Sequence, residues 1–168
     1  MDTQTLPKKD QSGKDGWEIE RKFLVPALPE EMACGTPASI RQGYLVVDTN
    51  GSSVRLREID DRLVQTIKQG QGVQRREVEI DLTPTQFKML WPLTEGRRIE
   101  KQRYAIPYEG HTIELDVYAG VLDGLVTAEV EFESVEAANC FEPPAWLGKE
   151  VTEDLNYTNQ CLAINGLP

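Results

Sequence analysis

The strongest constraint on this chain is a repeated alternation of charged and apolar residues, in which neighbouring charged positions often share one sign. It begins at Glu18, Glu20 and Lys22, which are separated by Ile19 and Arg21. Residues two apart share a face in an extended strand. The pattern recurs along the chain at Arg55 and Arg57, at Lys68, at Arg75, Glu77 and Glu79, at Lys101 and Arg103, at Glu114 and Asp116, and at Glu129, Glu131 and Glu133. It predicts a mainly β protein whose strands each carry one charged face.

Eight strands are predicted, at 17–25, 39–47, 52–60, 62–69, 73–81, 97–107, 111–119 and 125–133. Turn residues at 48–51 and 69–72 predict hairpins, and short connections imply antiparallel neighbours. Helices are few, so the fold class is α+β but mainly β. They are predicted from Thr83-Pro84 up to Pro92, over 135–141 after Ser134, over about 154–164, and as a turn or two within 28–34. Residues 1–16 are predicted to be a disordered extension, and 17–168 one domain.

Two architectures fit the alternation. A single strand of this kind favours an open antiparallel sheet with one solvated face. However, like charges at neighbouring positions are mildly destabilising and gain nothing on a free surface. Eight strands are enough to close an antiparallel barrel. If the charges point inward, few helices remain to cover the outer apolar faces, and the lumen must be wet because unpaired buried charges are costly.

A lumen of this kind has a recognisable chemistry. Its acids need cations, and its lysines and arginines need anions. A polyphosphate held together with a divalent cation satisfies both sets, because carboxylates bind hard cations and guanidinium and ammonium groups bind phosphate oxygens. Phosphoryl transfer depends mostly on positioning and charge stabilisation, which such a site supplies.

Composition excludes several classes of partner and site. The formal net charge of −10 disfavours nucleic acid and anionic membranes as partners. The apolar runs are short, which argues against a transmembrane helix or a secretory signal. His111 is the only histidine, so a multi-histidine metal site is excluded. Cys34, Cys140 and Cys161 are interpreted as reduced thiols of a cytoplasmic protein.

Beyond these patterns, the sequence resembles the triphosphate tunnel metalloenzymes of the CYTH superfamily, in particular the short single-domain bacterial members. The resemblance spans residues 17–165 and rests on the strings EIERKFLV, RQGYL, TEGRRIEKQRY, IELDVYAG, AEVEFES and KEVTEDLNY. It implies an eight-stranded antiparallel tunnel that binds a triphosphate with Mg²⁺ or Mn²⁺. Several short bacterial members hydrolyse inorganic tripolyphosphate.

The resemblance also implies roles for individual residues. The expected metal ligands are Glu18, Glu20, Asp116, Glu129 and Glu131. The expected triphosphate-binding residues are Lys22, Arg55, Arg57, Lys68, Arg75, Lys101 and Arg103. Glu77 is either a further ligand or a group that positions water, and the residues expected to act in catalysis are Glu18, Glu20, Lys22, Glu77 and Lys101.

Other residues have less defined expectations. Glu79, Glu114 and Glu133 have lumen parity but could lie solvated at a tunnel mouth. Arg21 and Arg76 have the opposite parity and should face outward. Two residues keep two interpretations each: Lys149 as a phosphate ligand or a solvated loop residue, and Tyr44 as a hydrogen-bond partner of Lys22 or a packing residue.

The function expected from these features is metal-dependent hydrolysis of inorganic tripolyphosphate to pyrophosphate and phosphate. Four alternatives remain open: hydrolysis of thiamine triphosphate or a nucleoside triphosphate, a class IV-type adenylyl cyclase, a non-catalytic polyphosphate-binding module, and an open sheet without a site. The expected partner is a small-molecule triphosphate, and the sequence leaves the oligomeric state open.

Overall fold

A computed structural model describes residues 17–48, 52–69 and 74–168. Its strands are β1 (Trp17–Leu24), β2 (Ala38–Val47), β3 (Ser53–Ile59), β4 (Arg62–Gln69), β5 (Gln74–Asp81), β6 (Arg98–Tyr108), β7 (His111–Tyr118) and β8 (Val126–Phe132). All eight predicted strands are therefore confirmed, with every end within one residue of the prediction. The predicted extension at 1–16 and most of both predicted hairpin turns lie outside the described residues.

In the described ranges three short α-helices accompany the strands: α1 (Pro84–Leu90), α2 (Val135–Cys140) and α3 (Asn159–Asn165). Thr83 caps α1 and Ser134 caps α2, as predicted, and the structure adds that Thr83 forms a capping box with Gln86. Two ends differ from the prediction. The chain passes from α1 into a 3₁₀ turn, Trp91–Thr94, because Pro92 is compatible with its first positions. The last predicted helix divides into a 3₁₀ turn, Leu155–Tyr157, and α3, because Thr158 caps α3.

The strands form a closed antiparallel barrel in the order β1-β5-β4-β3-β2-β6-β7-β8. The closure rules out the open sheet that a single alternating strand would favour. Among the described residues, the seam between β1 and β5 is short and pairs residues 17–19 with residues 74–76. On its other edge β1 pairs with β8 over residues 19–24.

A segment from the C-terminal part of the chain, residues 148–152, continues this seam beyond β5. Leu24 N donates to Lys149 O at 2.9 Å, and Val151 N donates to Lys22 O at 2.8 Å. Phe23 and Glu150 form an antiparallel bridge between these two hydrogen bonds. The tunnel wall beside Lys22 is therefore made by residues far away in sequence.

The packed apolar groups lie mainly between the barrel wall and the elements that cover it. One cluster, which includes Phe23, Leu115 and Val130, packs under α2 and the segment that follows it. The predicted helical cover is incomplete, because Val78 and Ile80 on the outer face of β5 are 46% and 48% exposed. The interior is thus left to polar side chains.

Gly43 is required by a close approach between β2 and the 3₁₀ turn after α1. A Cβ atom at Gly43 would lie 2.4 Å from Oγ1 of the buried Thr94. We expect Gly43→Ala to destabilise the fold by about 1–3 kcal/mol through overpacking. Thermal unfolding would then show a melting temperature lower by roughly 2–10 °C. Gly35→Ala is the control, because no atom lies within 4 Å of its Cβ position; equal melting temperatures for the two variants would contradict the expectation.

Candidate active site

The barrel interior contains a cavity of about 510 Å³ that is lined by charged side chains. Ten of the predicted site residues line it: Glu20, Lys22, Arg55, Arg57, Lys68, Glu77, Lys101, Arg103, Glu129 and Glu131. Their strands supply alternate residues to the interior, which is why the period of two places them together. The side chains of Glu18 and Arg75 lie outside the described part of the chain, although their backbones pair across β1 and β5.

Glu129 is the centre of the charge network on the β1–β8–β7 side of the cavity. Its carboxylate oxygens lie 3.0 Å from Lys22 Nζ and 3.1 Å from Arg103 Nη2. Burial would raise the pKa of Glu129, but Lys22, Lys101 and Arg103 outweigh it and hold that pKa well below its usual range. Glu129 is therefore an ionised oxygen donor in the middle of the tunnel.

Asp116 is fully buried and does not line the cavity. Its Oδ1 accepts from Arg103 Nε at 2.7 Å, while Oδ2 accepts from Arg103 Nη2 at 2.6 Å and from Lys101 Nζ. Burial opposes ionisation of Asp116, but Arg103 and Lys101 keep its pKa below the usual value. In this structure Asp116 holds two of the predicted phosphate-binding bases in place, and its role as a metal ligand stays a prediction.

The two buried lysines have different electrostatic surroundings. Burial lowers the pKa of Lys101 to about 8, because the attraction of Asp116 is offset by Arg103 and Lys22. Burial also disfavours the charged form of Lys22, but Glu129 and other neighbours raise its pKa above the usual value. The surroundings therefore favour the charged form of Lys22, whereas they bring the pKa of Lys101 closer to neutral pH.

The opposite wall, from β3 to β5, carries a second set of charges. Lys68 Nζ lies 2.7 Å from Glu77 Oε2, and Arg57 Nη2 donates to Glu79 Oε1 at 2.5 Å. Arg57 Nε is buried and has no hydrogen-bond acceptor among the described residues. A buried donor without an acceptor on a cavity wall fits an anionic ligand, since such groups are normally satisfied.

Glu20 and Glu131 are directly opposite each other across β1 and β8, and both line the cavity. Opposed carboxylates repel one another unless a cation neutralises them. Their oxygen donors suit a hard divalent cation, and Glu129 follows on the same face of β8. This donor chemistry fits a divalent ion. No three carboxylate, histidine or cysteine side chains among the described residues, however, are already arranged to hold a metal ion.

Sequence parity missed one wall of the cavity. Residues 151–155 and 158–161 line it together with Ile164 and Asn165. Tyr118 OH donates to Asn159 Oδ1 at 2.5 Å and so ties the start of α3 to the barrel. The only signal in the sequence was the polar string from Thr152 to Asp154, which lacks the alternation of a strand.

The prediction that Arg21 and Arg76 face outward is confirmed. Arg21 points outward and pairs with Glu150, and Arg76 is exposed. The exposed Lys149 does not line the cavity, which favours its interpretation as a solvated residue. Tyr44 is buried and lines the cavity, and its hydroxyl accepts from Gln42 Nε2 at 3.0 Å.

The three carboxylates of less certain position differ from one another. Glu114 lines the cavity and pairs with Arg103. Glu79 pairs with Arg57 and also lies 3.6 Å from Arg62 Nη1. Glu133 is exposed beyond the end of β8, where it lines a second pocket near His111 but not the tunnel cavity. Only Glu133 therefore behaves as a solvated mouth residue.

A charged tunnel of this topology defines a family, and comparison with known proteins identifies it. The model of the CYTH domain matches residues 17–158, so the chain belongs to the CYTH family. An inorganic triphosphatase from Nitrosomonas europaea is 49% identical over 150 residues, which cover 88% of this chain and 97% of the relative. An inorganic triphosphatase from Acetivibrio thermocellus is 38% identical over 153 residues, covering 89% and 95%.

Solved structures agree with this assignment. The crystal structure of an inorganic triphosphatase matches with a TM-score of 0.67 and 45% identity, covering 90% of this chain and 97% of that chain. A putative adenylate cyclase from Bacillus halodurans matches with a TM-score of 0.55 and 21% identity, covering 74% and 86%, and supports the fold alone. None of the helices in the described ranges combines the length and apolarity needed to span a membrane.

Proposed function

We propose that this protein hydrolyses inorganic tripolyphosphate to pyrophosphate and phosphate, with the help of a divalent cation. The main support is a single cavity in which rows of lysine and arginine face carboxylates that oppose one another across β1 and β8. The relatives that match nearly the whole chain carry the same activity in their names. The domain responsible is residues 17–168.

The bases on both walls bind the substrate in this proposal. Arg55, Arg57 and Lys68 supply donors from β3 and β4, and Arg75 extends this set on β5. Lys22, Lys101 and Arg103 supply donors from β1 and β6 on the facing side. Guanidinium and ammonium groups form short charge-assisted hydrogen bonds to phosphate oxygens, so the two walls hold an extended anion between them. Anion binding also gives Arg57 Nε an acceptor.

Carboxylates of the first and last strands hold the cation in this proposal. These ligands are Glu18, Glu20, Glu129 and Glu131, with Asp116 as a predicted further ligand. When bound, Mg²⁺ or Mn²⁺ neutralises charge on the phosphate oxygens and polarises the phosphorus centre. Glu129 would exchange its contacts with Lys22 and Arg103 for the cation, which leaves both bases available to phosphate.

Hydrolysis breaks one P–O bond and adds the elements of water. Glu77 lies on the cavity wall beside Lys68, and in this proposal it accepts a hydrogen bond from the attacking water. The oxygen of that water bonds to phosphorus, the bridging oxygen leaves with the pyrophosphate, and a proton is released. Cations around the bridging oxygen stabilise the charge that it gains, so no covalent nucleophile is required.

The test is phosphate release from tripolyphosphate, ATP and thiamine triphosphate, measured side by side with Mg²⁺, with Mn²⁺ and with EDTA. We expect rapid phosphate release from tripolyphosphate and not from ATP or thiamine triphosphate. At least one of the two cations should support this release, and nearly all activity should be lost in EDTA. Addition of excess cation should restore the rate.

Other outcomes would overturn parts of the proposal. Unchanged phosphate release in EDTA would show that the reaction needs no divalent cation. Faster release from ATP or thiamine triphosphate would show that the preferred substrate is not tripolyphosphate. Cyclic AMP formed from ATP would identify a cyclase instead. A cytoplasmic location fits the free thiols of Cys140 and Cys161 and is part of the same proposal.

A further inference from the structure

An ion pair on the outer surface of β1 is connected to the tunnel lining. Arg21 Nε and Nη2 donate to the two carboxylate oxygens of Glu150 at 2.9 and 2.7 Å. Arg21 Nη1 donates to the carbonyl oxygens of Ala138 and Phe141 at 2.9 and 3.0 Å. One guanidinium group therefore fastens the end of α2 and the segment 148–152 to the same point of β1.

From Glu150 the contacts continue to the backbone of Lys22. Thr152 Oγ1 donates to Glu150 Oε1 at 2.8 Å and accepts from Lys22 N at 3.0 Å. The side chain of Lys22 enters the cavity and contacts Glu129. A chain of hydrogen bonds thus runs from Arg21 on the outer surface through Glu150 and Thr152 to Lys22, whose side chain faces the proposed substrate.

This attachment matters because, in the described part of the chain, β5 pairs with β1 only at residues 17–19. Strand β5 pairs with residues 17–19 of β1, and the segment 148–152 takes over beside Lys22, Phe23 and Leu24. The approach is close: a Cβ atom on Gly148 would lie 2.9 Å from Leu24 O. Beyond this contact the chain supplies Thr152, Glu153 and Asp154 to the cavity wall.

We propose that Arg21 and Glu150 are positioning residues that close the tunnel seam and fix both Lys22 and the wall formed by residues 152–155. The inference rests on the proposed hydrolysis of tripolyphosphate. Neither side chain lines the cavity, so neither touches the substrate. Their loss would let the segment separate from β1, and small misplacements of binding groups are costly in rate.

The test compares Arg21→Met, Glu150→Gln and the double variant with Arg41→Met. Arg41 is a matched control, because it also pairs with a glutamate, Glu58, and lies over an aromatic ring, Trp91. At Arg41, however, β2 is paired on both edges, with Glu58 of β3 and Glu100 of β6, and the irregularity between β2 and β3 comes later, at Tyr44 to Val46. We expect kcat/KM for tripolyphosphate to fall about tenfold or more in each seam variant, mainly through KM, and to stay unchanged in Arg41→Met. The double variant should lose little more than either single variant, because both remove the same contact.

Amide hydrogen exchange supplies a readout that does not depend on activity. The amides of Lys22, Leu24, Gly148 and Val151 all donate across the seam, and they should exchange faster in the seam variants than in Arg41→Met. Unchanged KM together with unchanged exchange would overturn the inference. The inference would also be overturned if Arg41→Met lost as much activity as seam variants whose melting temperatures fall by the same amount.

Two further measurements keep the test decisive. If Arg21→Met does not fold, Thr152→Val removes the same connection at its inner end, and Thr152→Ser should restore KM because it keeps the hydroxyl. If the wild-type protein hydrolyses no triphosphate, the proposed function fails. The seam is then judged by calorimetric binding of tripolyphosphate and by amide exchange, and wild-type affinity in both seam variants would refute it.

Discussion

Glu131→Gln is expected to lower the turnover of tripolyphosphate by about a hundredfold or more while leaving the melting temperature nearly unchanged. Glu131 lines the cavity but is exposed, so its charge contributes little to stability. A cation held between the two strands would be bound by both Glu131 and Glu20, which are directly opposite each other. Glutamine keeps the shape of the side chain and removes the anionic oxygen that a divalent ion needs.

Glu133→Gln is the matched control for this prediction. Glu133 has the same parity as Glu131 and is also exposed, but it lies beyond the end of β8 and lines the pocket near His111 alone, whereas Glu131 lines both that pocket and the tunnel cavity. The measurements are steady-state turnover at saturating cation and the melting temperature, each for Glu131→Gln and Glu133→Gln. Glu18→Gln is expected to behave like Glu131→Gln. Full activity in both would remove the proposed metal role of these carboxylates.

The lumen could be predicted from the sequence because a strand has a period of two. Parity placed Lys22, Arg55 and Lys101 on one face of their strands, and closure of the barrel turned those faces towards one cavity. The parity of a residue does not indicate, however, how deeply its side chain is buried in the barrel. Asp116 and Glu131 have the same parity, yet the first is fully buried under Lys101 and Arg103 and the second is exposed.

The seam could not be predicted, because it depends on contacts between distant parts of the chain. Arg21 and Glu150 are 129 residues apart, and the segment 148–152 has no alternation that would indicate a strand. The sequence indicated correctly that Arg21 faces outward. That orientation alone does not reveal that Arg21 holds a piece of the tunnel wall in place. Such a role becomes visible only when the incomplete pairing of β1 with β5 is known.

Asp116→Asn is expected to destabilise the folded protein by about 3–5 kcal/mol at neutral pH. The substitution keeps the shape of the side chain but removes the charge that compensates Arg103 and Lys101. It also lowers the pKa of Lys101 further, because Asp116 is the strongest group that opposes the effect of burial there. Urea denaturation at fixed pH measures the change in unfolding free energy.

The pH dependence of this loss has a definite sign. A lysine whose pKa is lowered in the folded state binds fewer protons there than in the unfolded state, so stability rises with pH up to the unfolded pKa. The Asn variant gains more from this effect, since its Lys101 is the more strongly perturbed. The loss of unfolding free energy in the Asn variant should therefore shrink from neutral pH to about pH 9.

Asp81→Asn is the control for this prediction. Asp81 lies 2.9 Å from Arg62 but its side chain is 74% exposed, so a loss of less than about 1 kcal/mol is expected. Equal losses for the two variants would show that Asp116 does not organise the buried bases.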